Sequence, residues 1–163
     1  MSETTLLQRA AGLRLELKGR PLLGPLMGAV VLLGLALAGY LAFVEATGGT
    51  VACIGAEECH PTQVVFYSRL LWVPVSYLGV VAYAVAGLLL AAHARLRGQA
   101  SFYALLVLVA LSMVGAVFSG YLTYVQVFVI DAICPWCVAS AVAMVALALL
   151  TLATTALEVR DSE

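Results

Sequence analysis

"GQASFYALLVLVALSMVGAVFSGYLTYVQVFVI" (residues 98–130) contains no Asp, Glu, Lys or Arg. A run of ~20 apolar residues crosses the ~30 Å hydrocarbon core of a bilayer as an α-helix, and this one is longer. Three more uncharged runs occur at 21–44, 70–94 and 132–157. The 163-residue chain is 64% hydrophobic and 10% charged, far less charged than a soluble domain. A soluble fold would have to bury four wholly apolar helices with almost nothing left to cover them. The chain therefore reads as an all-α integral membrane four-helix bundle in a single domain, 1–163. Its spans fall at about 22–45, 74–94, 101–126 and 135–157, with an outer loop at 46–73. A net charge of −1 offers nothing to nucleic acid.

Basic residues orient the bundle. Arg9, Arg14, Lys18 and Arg20 precede the first span, Arg95 and Arg97 lie between the second and third, and Arg160 follows the fourth. If all four runs cross, these segments share one side and only Arg69 falls on the other. The positive-inside rule then places both termini in the cytoplasm. All four cysteines, Cys53, Cys59, Cys134 and Cys137, lie in or beside the two outward segments. Residues 4–18, "TTLLQRAAGLRLELK", set Leu6, Ala10, Leu13 and Leu17 on one helical face and suggest a helix lying in the cytoplasmic interface. Pro21 and Pro25 are expected in the first turns of the first span, where a missing N–H costs little. Gly48-Gly49 should end that span. Gly98 is the expected C-cap of the second span and Ser101 the N-cap of the third. Gly115, Gly120, Ser112 and Ser119 offer small surfaces for close packing in lipid.

Thiols outside a bacterial cytoplasmic membrane or in an ER lumen persist as disulfides. Four cysteines allow three complete pairings, and spacing suggests two local pairs. Cys53 and Cys59 share the outer loop, while Cys134-Pro135-Trp136-Cys137 opens the fourth helix. Free N–H groups and the helix dipole at such a start favour a thiolate. Thiolate is the species that attacks a disulfide, and a low-pKa thiol is the better leaving group. Three roles compete for the four sulfurs. A brace is poorly motivated, because a CxxC loop constrains little chain entropy. A zinc site is disfavoured, because C-x5-C with C-x2-C is not a familiar zinc spacing. No metal is expected. A redox relay from loop pair to CxxC explains both positions.

These features together resemble the vitamin K epoxide reductase family, and its bacterial members most closely. The resemblance rests on four spans, a loop cysteine pair after the first and CPWC opening the fourth, with "YSRLLWVPVSYLGVVAY" (67–83) leading into the second span. Disulfide bond formation protein B also has four spans and two pairs, but its CxxC lies in the first outer loop. The resemblance implies a quinone reductase that makes disulfides. A thioredoxin-fold partner reduces the Cys53–Cys59 pair, Cys59 attacks Cys134, and Cys137 is released facing the quinone. Ala141 and Val75 stand about where vertebrate members carry a tyrosine and an asparagine. A respiratory quinone of the ubiquinone or menaquinone class is therefore expected rather than vitamin K epoxide. Because the chain ends at Glu163, the partner is expected to be a separate periplasmic protein. The location implied is a bacterial inner membrane, cysteines outward.

Quinone sites are mostly apolar with a few polar anchors. The candidates here are Ser68, Trp72, Tyr121, Tyr124 and Phe128, with Gln126 and Ser119 as further partners for a quinone oxygen. Tyr83 belongs to the same outer group of aromatics. Glu57, Glu58 and His60 read as a solvated loop, Asp131 as a cap of the fourth helix, and His93 as interfacial. The alternative function is a non-enzymatic membrane protein with disulfide-braced outer loops, indifferent to quinone.

Overall fold

The computed structural model describes residues 3–49, 69–70, 73–96, 98–129 and 133–161. Four helices carry the fold: α1 (Glu3–Ala46), α2 (Val75–Arg95), α3 (Gln99–Phe128) and α4 (Pro135–Asp161). Ahead of α2, β1 (Arg69–Leu70) and β2 (Val73–Pro74) form a two-residue antiparallel pair, Arg69 opposite Pro74 and Leu70 opposite Val73. Each helix contains a segment long and apolar enough to cross a bilayer: Leu22–Ala46, Val75–Arg95, Gln99–Phe128 and Pro135–Arg160. The expected all-α membrane bundle is thus the observed fold. Large apolar side chains cover its outside, with Leu32 67%, Leu88 71% and Val117 75% exposed. That surface suits lipid tails rather than water.

The helices form a ring in which α1 and α3 each pack on both α2 and α4. Contact pairs show that neighbours run antiparallel. Along α1 and α2, Glu45 meets Ser76, Ala38 meets Gly79, Gly34 meets Tyr83 and Val31 meets Gly87. Along α3 and α4, Gln126 meets Cys134, Gly115 meets Met144 and Ser112 meets Thr151. The core between them is built on Met27, Val31, Tyr83, Leu108, Met144 and Leu147.

With little hydrophobic force between helices in lipid, close approach and hydrogen bonds decide how they pack. Gly34 is the closest approach. A Cβ there would lie 2.1 Å from Cε1 of Tyr83, so only glycine lets that ring rest on the α1 backbone. The Tyr83 hydroxyl then donates across the ring to the Ser140 carbonyl at 2.8 Å, joining α2 to α4. Ser112 and Thr151, both fully buried, share a 3.1 Å hydroxyl bond between α3 and α4. Whichever hydroxyl accepts in that bond donates its own proton to a carbonyl of its own helix, Val109 for Ser112 or Ala148 for Thr151. Among the described residues no buried side-chain polar atom lacks a partner.

Helix ends explain where the functional side chains sit. α1 closes in a Schellman turn: Gly48 has φ +67°, its N–H bonds Glu45 O and the Gly49 N–H bonds Val44 O at 2.9 Å. The α2–α3 turn differs from expectation. Gly98, at φ +65°, stands as N-cap of α3, while Ser101 lies inside the first turn of that helix. Its Oγ bonds the His93 carbonyl at 3.0 Å and His93 Nδ1 at 2.9 Å, partners that draw it away from capping. Pro21 and Pro25 also differ: they lie within α1, which runs unbroken through residues 4–18 into the span. A proline removes a single backbone bond, and in lipid the remaining groups gain by staying helical. Gly115 packs against Met144, but Gly120 faces open space, so the small surface expected there is unused within the described residues. The cap expected at Asp131, and the loop residues Glu57, Glu58 and His60, lie outside the described residues.

Candidate functional site

One end of the bundle gathers the ends of α1 and α3 and the starts of α2 and α4, and the CxxC opens α4 there. Cys134 is the N-cap of α4, since its carbonyl accepts the first helical bond, from the Val138 N–H at 3.1 Å. Pro135 follows as the first helical residue, where a missing N–H costs nothing. Cys137 occupies the third helical position, and its N–H donates to Cys134 Sγ at 3.3 Å. The sulfur stands where serine or aspartate would normally place a capping oxygen. Behind it, the Cys134 N–H donates to Gln126 Oε1 of α3 at 3.2 Å.

Cys134 is buried and Cys137 half-buried, and both are free thiols. The Cys134 thiol is pulled down to about 7, first by the hydrogen bond of the Cys137 side chain. Burial pushes the other way, and the N–H groups of Cys137 and Trp136 add to the lowering. The CxxC therefore meets the chemical requirement that its position suggests: at neutral pH a large fraction of Cys134 is thiolate.

Aromatic rings frame this end. Tyr40 of α1 meets Trp136, the residue between the cysteines, with ring centroids 5.1 Å apart and planes tilted 51°. Tyr124 and Phe128 of α3 meet at 4.8 Å. Tyr121, Tyr124 and Phe128 all lie on the exposed surface of α3 rather than in the bundle core. Glu45, at the end of α1, accepts a hydrogen bond from the Ser76 hydroxyl in the first turn of α2. Tyr83, expected towards the outer half or interface, is buried inside the bundle and bonded to Ser140, one turn beyond Cys137.

Cys134 and Cys137 are thus brought together, as are Tyr124 and Phe128. Cys53, Cys59, Ser68 and Trp72 lie outside the described residues. Gln126 proves to be a partner of the cysteine backbone. Sequence reading missed Tyr40 and Glu45. The signal for Glu45 was present: it is the first charge after the run at 21–44, and so marks the boundary of the span.

A family model, described as "Vitamin K epoxide reductase family", matches residues 25–152. The chain belongs to this family. The match runs from α1 into α4 and includes all four cysteines. No match emerges among curated proteins. Vitamin K epoxide reductase family proteins are membrane thiol–disulfide oxidoreductases that act on quinones, and this member is a multi-pass membrane oxidoreductase.

Proposed function

We propose that this protein makes disulfides by passing two electrons from a thioredoxin-fold partner, through Cys53 and Cys59, to Cys134 and Cys137, and on to a membrane quinone. The observation that carries the reading is a CxxC whose first sulfur caps α4 and is lowered to about 7, at one end of a lipid-facing bundle. The partner's dithiol opens the Cys53–Cys59 disulfide and is itself oxidised. Cys59 thiolate then attacks Cys134 Sγ, which breaks the Cys134–Cys137 bond and leaves Cys137 as thiolate. Cys53 next attacks Cys59, which frees Cys134. A Cys134 sulfur stabilised as an anion is a good leaving group in that step, so the transfer runs towards the CxxC. When the Cys134–Cys137 bond closes again, two electrons and two protons pass on, and the relay is reset.

The residues at this end suit a quinone ring: exposed Tyr40, Trp136, Tyr124 and Phe128 are apolar bodies with few polar atoms, beside a half-buried Cys137. A quinone would supply a two-electron acceptor that dissolves in the hydrocarbon layer. Tyr121, together with Ser68 and Trp72, completes the proposed lining. The distribution of basic residues supports cytoplasmic termini and cysteines on the outer face of a bacterial inner membrane.

The test is quinone reduction by purified protein in detergent, supplied with a reduced thioredoxin-fold protein, beside Cys137→Ala. Turnover is expected in the parent protein. None is expected in the variant. There Cys134 thiolate can instead attack an oxidised Cys53–Cys59 pair, forming a Cys59–Cys134 bridge and releasing Cys53 as thiol. That bridge should be visible by mass spectrometry before the reduced partner is added. Undiminished turnover by Cys137→Ala would overturn the assignment of the final thiol. Cysteines locked in one pairing, with no reduction of ubiquinone or menaquinone analogues, would leave them a bracing role.

A further inference from the structure

The four residues Cys134 to Cys137 occupy the positions of a capping box. In that motif the N-cap side chain accepts the N–H of the third helical residue, and the side chain of that third residue returns to accept the N–H of the N-cap. Cys134 performs the first half, through Sγ and the Cys137 N–H at 3.3 Å. The second half normally falls to glutamate or glutamine, but here the third position is Cys137, whose sulfur is committed to thiol chemistry. The missing acceptor comes from the neighbouring helix: Gln126 Oε1 takes the Cys134 N–H at 3.2 Å.

We propose that Gln126 is a positioning residue for the CxxC, completing the capping box from α3 and holding Cys134 at the helix start. The proposal deepens the relay reading and rests on it. Its logic follows from what each redox state does to the cap. As a thiolate, Cys134 Sγ is a strong acceptor for the Cys137 N–H. Joined to Cys137 Sγ it is neutral and accepts weakly. The Gln126 bond uses only the Cys134 backbone and survives both states. It therefore keeps Cys134 at the dipole end of α4 while its sulfur changes partners.

Removing the acceptor loosens the N-cap in both states, but the reduced form loses more. Its thiolate depends on staying at the dipole end of α4, whereas the disulfide is neutral and clamped covalently to Cys137. The reduced CxxC should lose ground against the disulfide. Gln126→Met keeps the length of the side chain without the oxygen, while Gln126→Glu keeps an acceptor. Each is equilibrated in detergent with glutathione buffers, and the reduced and oxidised CxxC are counted by mass spectrometry, with no quinone or partner present. Gln126→Met should shift the equilibrium measurably towards disulfide, with about tenfold as the ceiling, the effect of one whole net hydrogen bond. Gln126→Glu should return most of that shift. A folded Gln126→Met with the parent equilibrium would overturn the proposal.

A measurement on the unaltered protein covers a variant that does not fold. With cysteines labelled by nitrogen-15, the Cys134 amide should resist hydrogen exchange in both redox states. Exchange at the rate of an open amide in either state would sink the idea. Neither readout involves quinone, so failure here leaves the relay standing, and failure of quinone turnover leaves this positioning role to be judged separately.

Discussion

The two ends of the bundle are tied in different ways. At the end where α2 finishes and α3 begins, one polar cluster joins three helices: His93 of α2 bonds Ser101 of α3, and its Nε2 lies 3.6 Å from Glu158 of α4. At the cysteine end the ties among the described residues run between neighbours around the ring. Glu45 joins Ser76, Gln126 joins Cys134 and Tyr40 meets Trp136. The bond that crosses the ring, Tyr83 to Ser140, lies a turn deeper than Cys137. One end is clasped through its centre. The other is held at its edges, with the cross-brace one turn further along α4 than Cys137. That arrangement suits the proposed relay, in which sulfurs that exchange partners cannot serve as permanent ties between helices.

The comparison is broken most severely at the cross-brace. Gly34→Ala puts a methyl 2.1 Å from the Tyr83 ring, which cannot retreat without losing its bond to Ser140. Overpacking of this kind costs about 1–3 kcal/mol. Thermal unfolding in detergent should register it, along with altered thiol reactivity at Cys137. Tyr83→Phe keeps the ring and loses only the hydroxyl bond, about 1 kcal/mol. Equal effects from the two variants would show that the brace acts through its hydroxyl alone and that the close approach matters little.

The sulfurs themselves sharpen the contrast through pH. Only thiolate is alkylated, so the rate of Cys134 modification in the reduced protein should rise with pH and level off above its pKa. Because that pKa is lowered, the midpoint should fall near 7, below the ordinary thiol range. The sign for stability is the same. The thiolate's contribution to the reduced fold is complete above the unfolded pKa and is lost as pH falls through about 7. Cys137→Ser keeps a hydroxyl donor for Cys134 and should move the midpoint little. Cys137→Ala removes the largest cause of the lowering and should raise it. A parent midpoint in the ordinary thiol range would show that the helix start does not hold Cys134 as an anion.

What was legible in the sequence, and what was not, follows from the solvent. Crossing a bilayer demands a long apolar run whatever its neighbours, so the four spans were plain from charge alone. Pro135 beside Cys134 marked a helix start because that is where a proline fits. Helix rotation was hidden. Lipid and core are both apolar, so no amphipathic stripe shows which face turns inward. Nothing in the pattern therefore tells that Tyr83 turns into the bundle, where a glycine on another helix gives it room. Gly115 and Gly120 suggest the same packing surface on one helix, yet among the described residues Gly115 meets Met144 and Gly120 meets none. Gln126 stands out as a polar side chain in an apolar run and suggests a partner for a quinone oxygen, whereas the partner seen is a backbone N–H that no spacing rule names.

The smallest expected effect tests the clasped end. Serine at a helix start usually caps it, but the partner of Ser101 is a histidine on the preceding helix. Ser101→Ala removes the Oγ bonds to His93, yet His93 Nδ1 still lies 3.2 Å from the Ser101 carbonyl, which the substitution keeps. The loss should therefore sit near the low end for a hydrogen bond, about 0.5 kcal/mol. Thermal unfolding should shift slightly downward and Cys134 alkylation should not change. A changed alkylation rate in this variant would mean that the clasp reaches the sulfurs along the whole bundle. The two ends would then be one mechanical unit, and the separation of a fixed end from a reactive one would have to be given up.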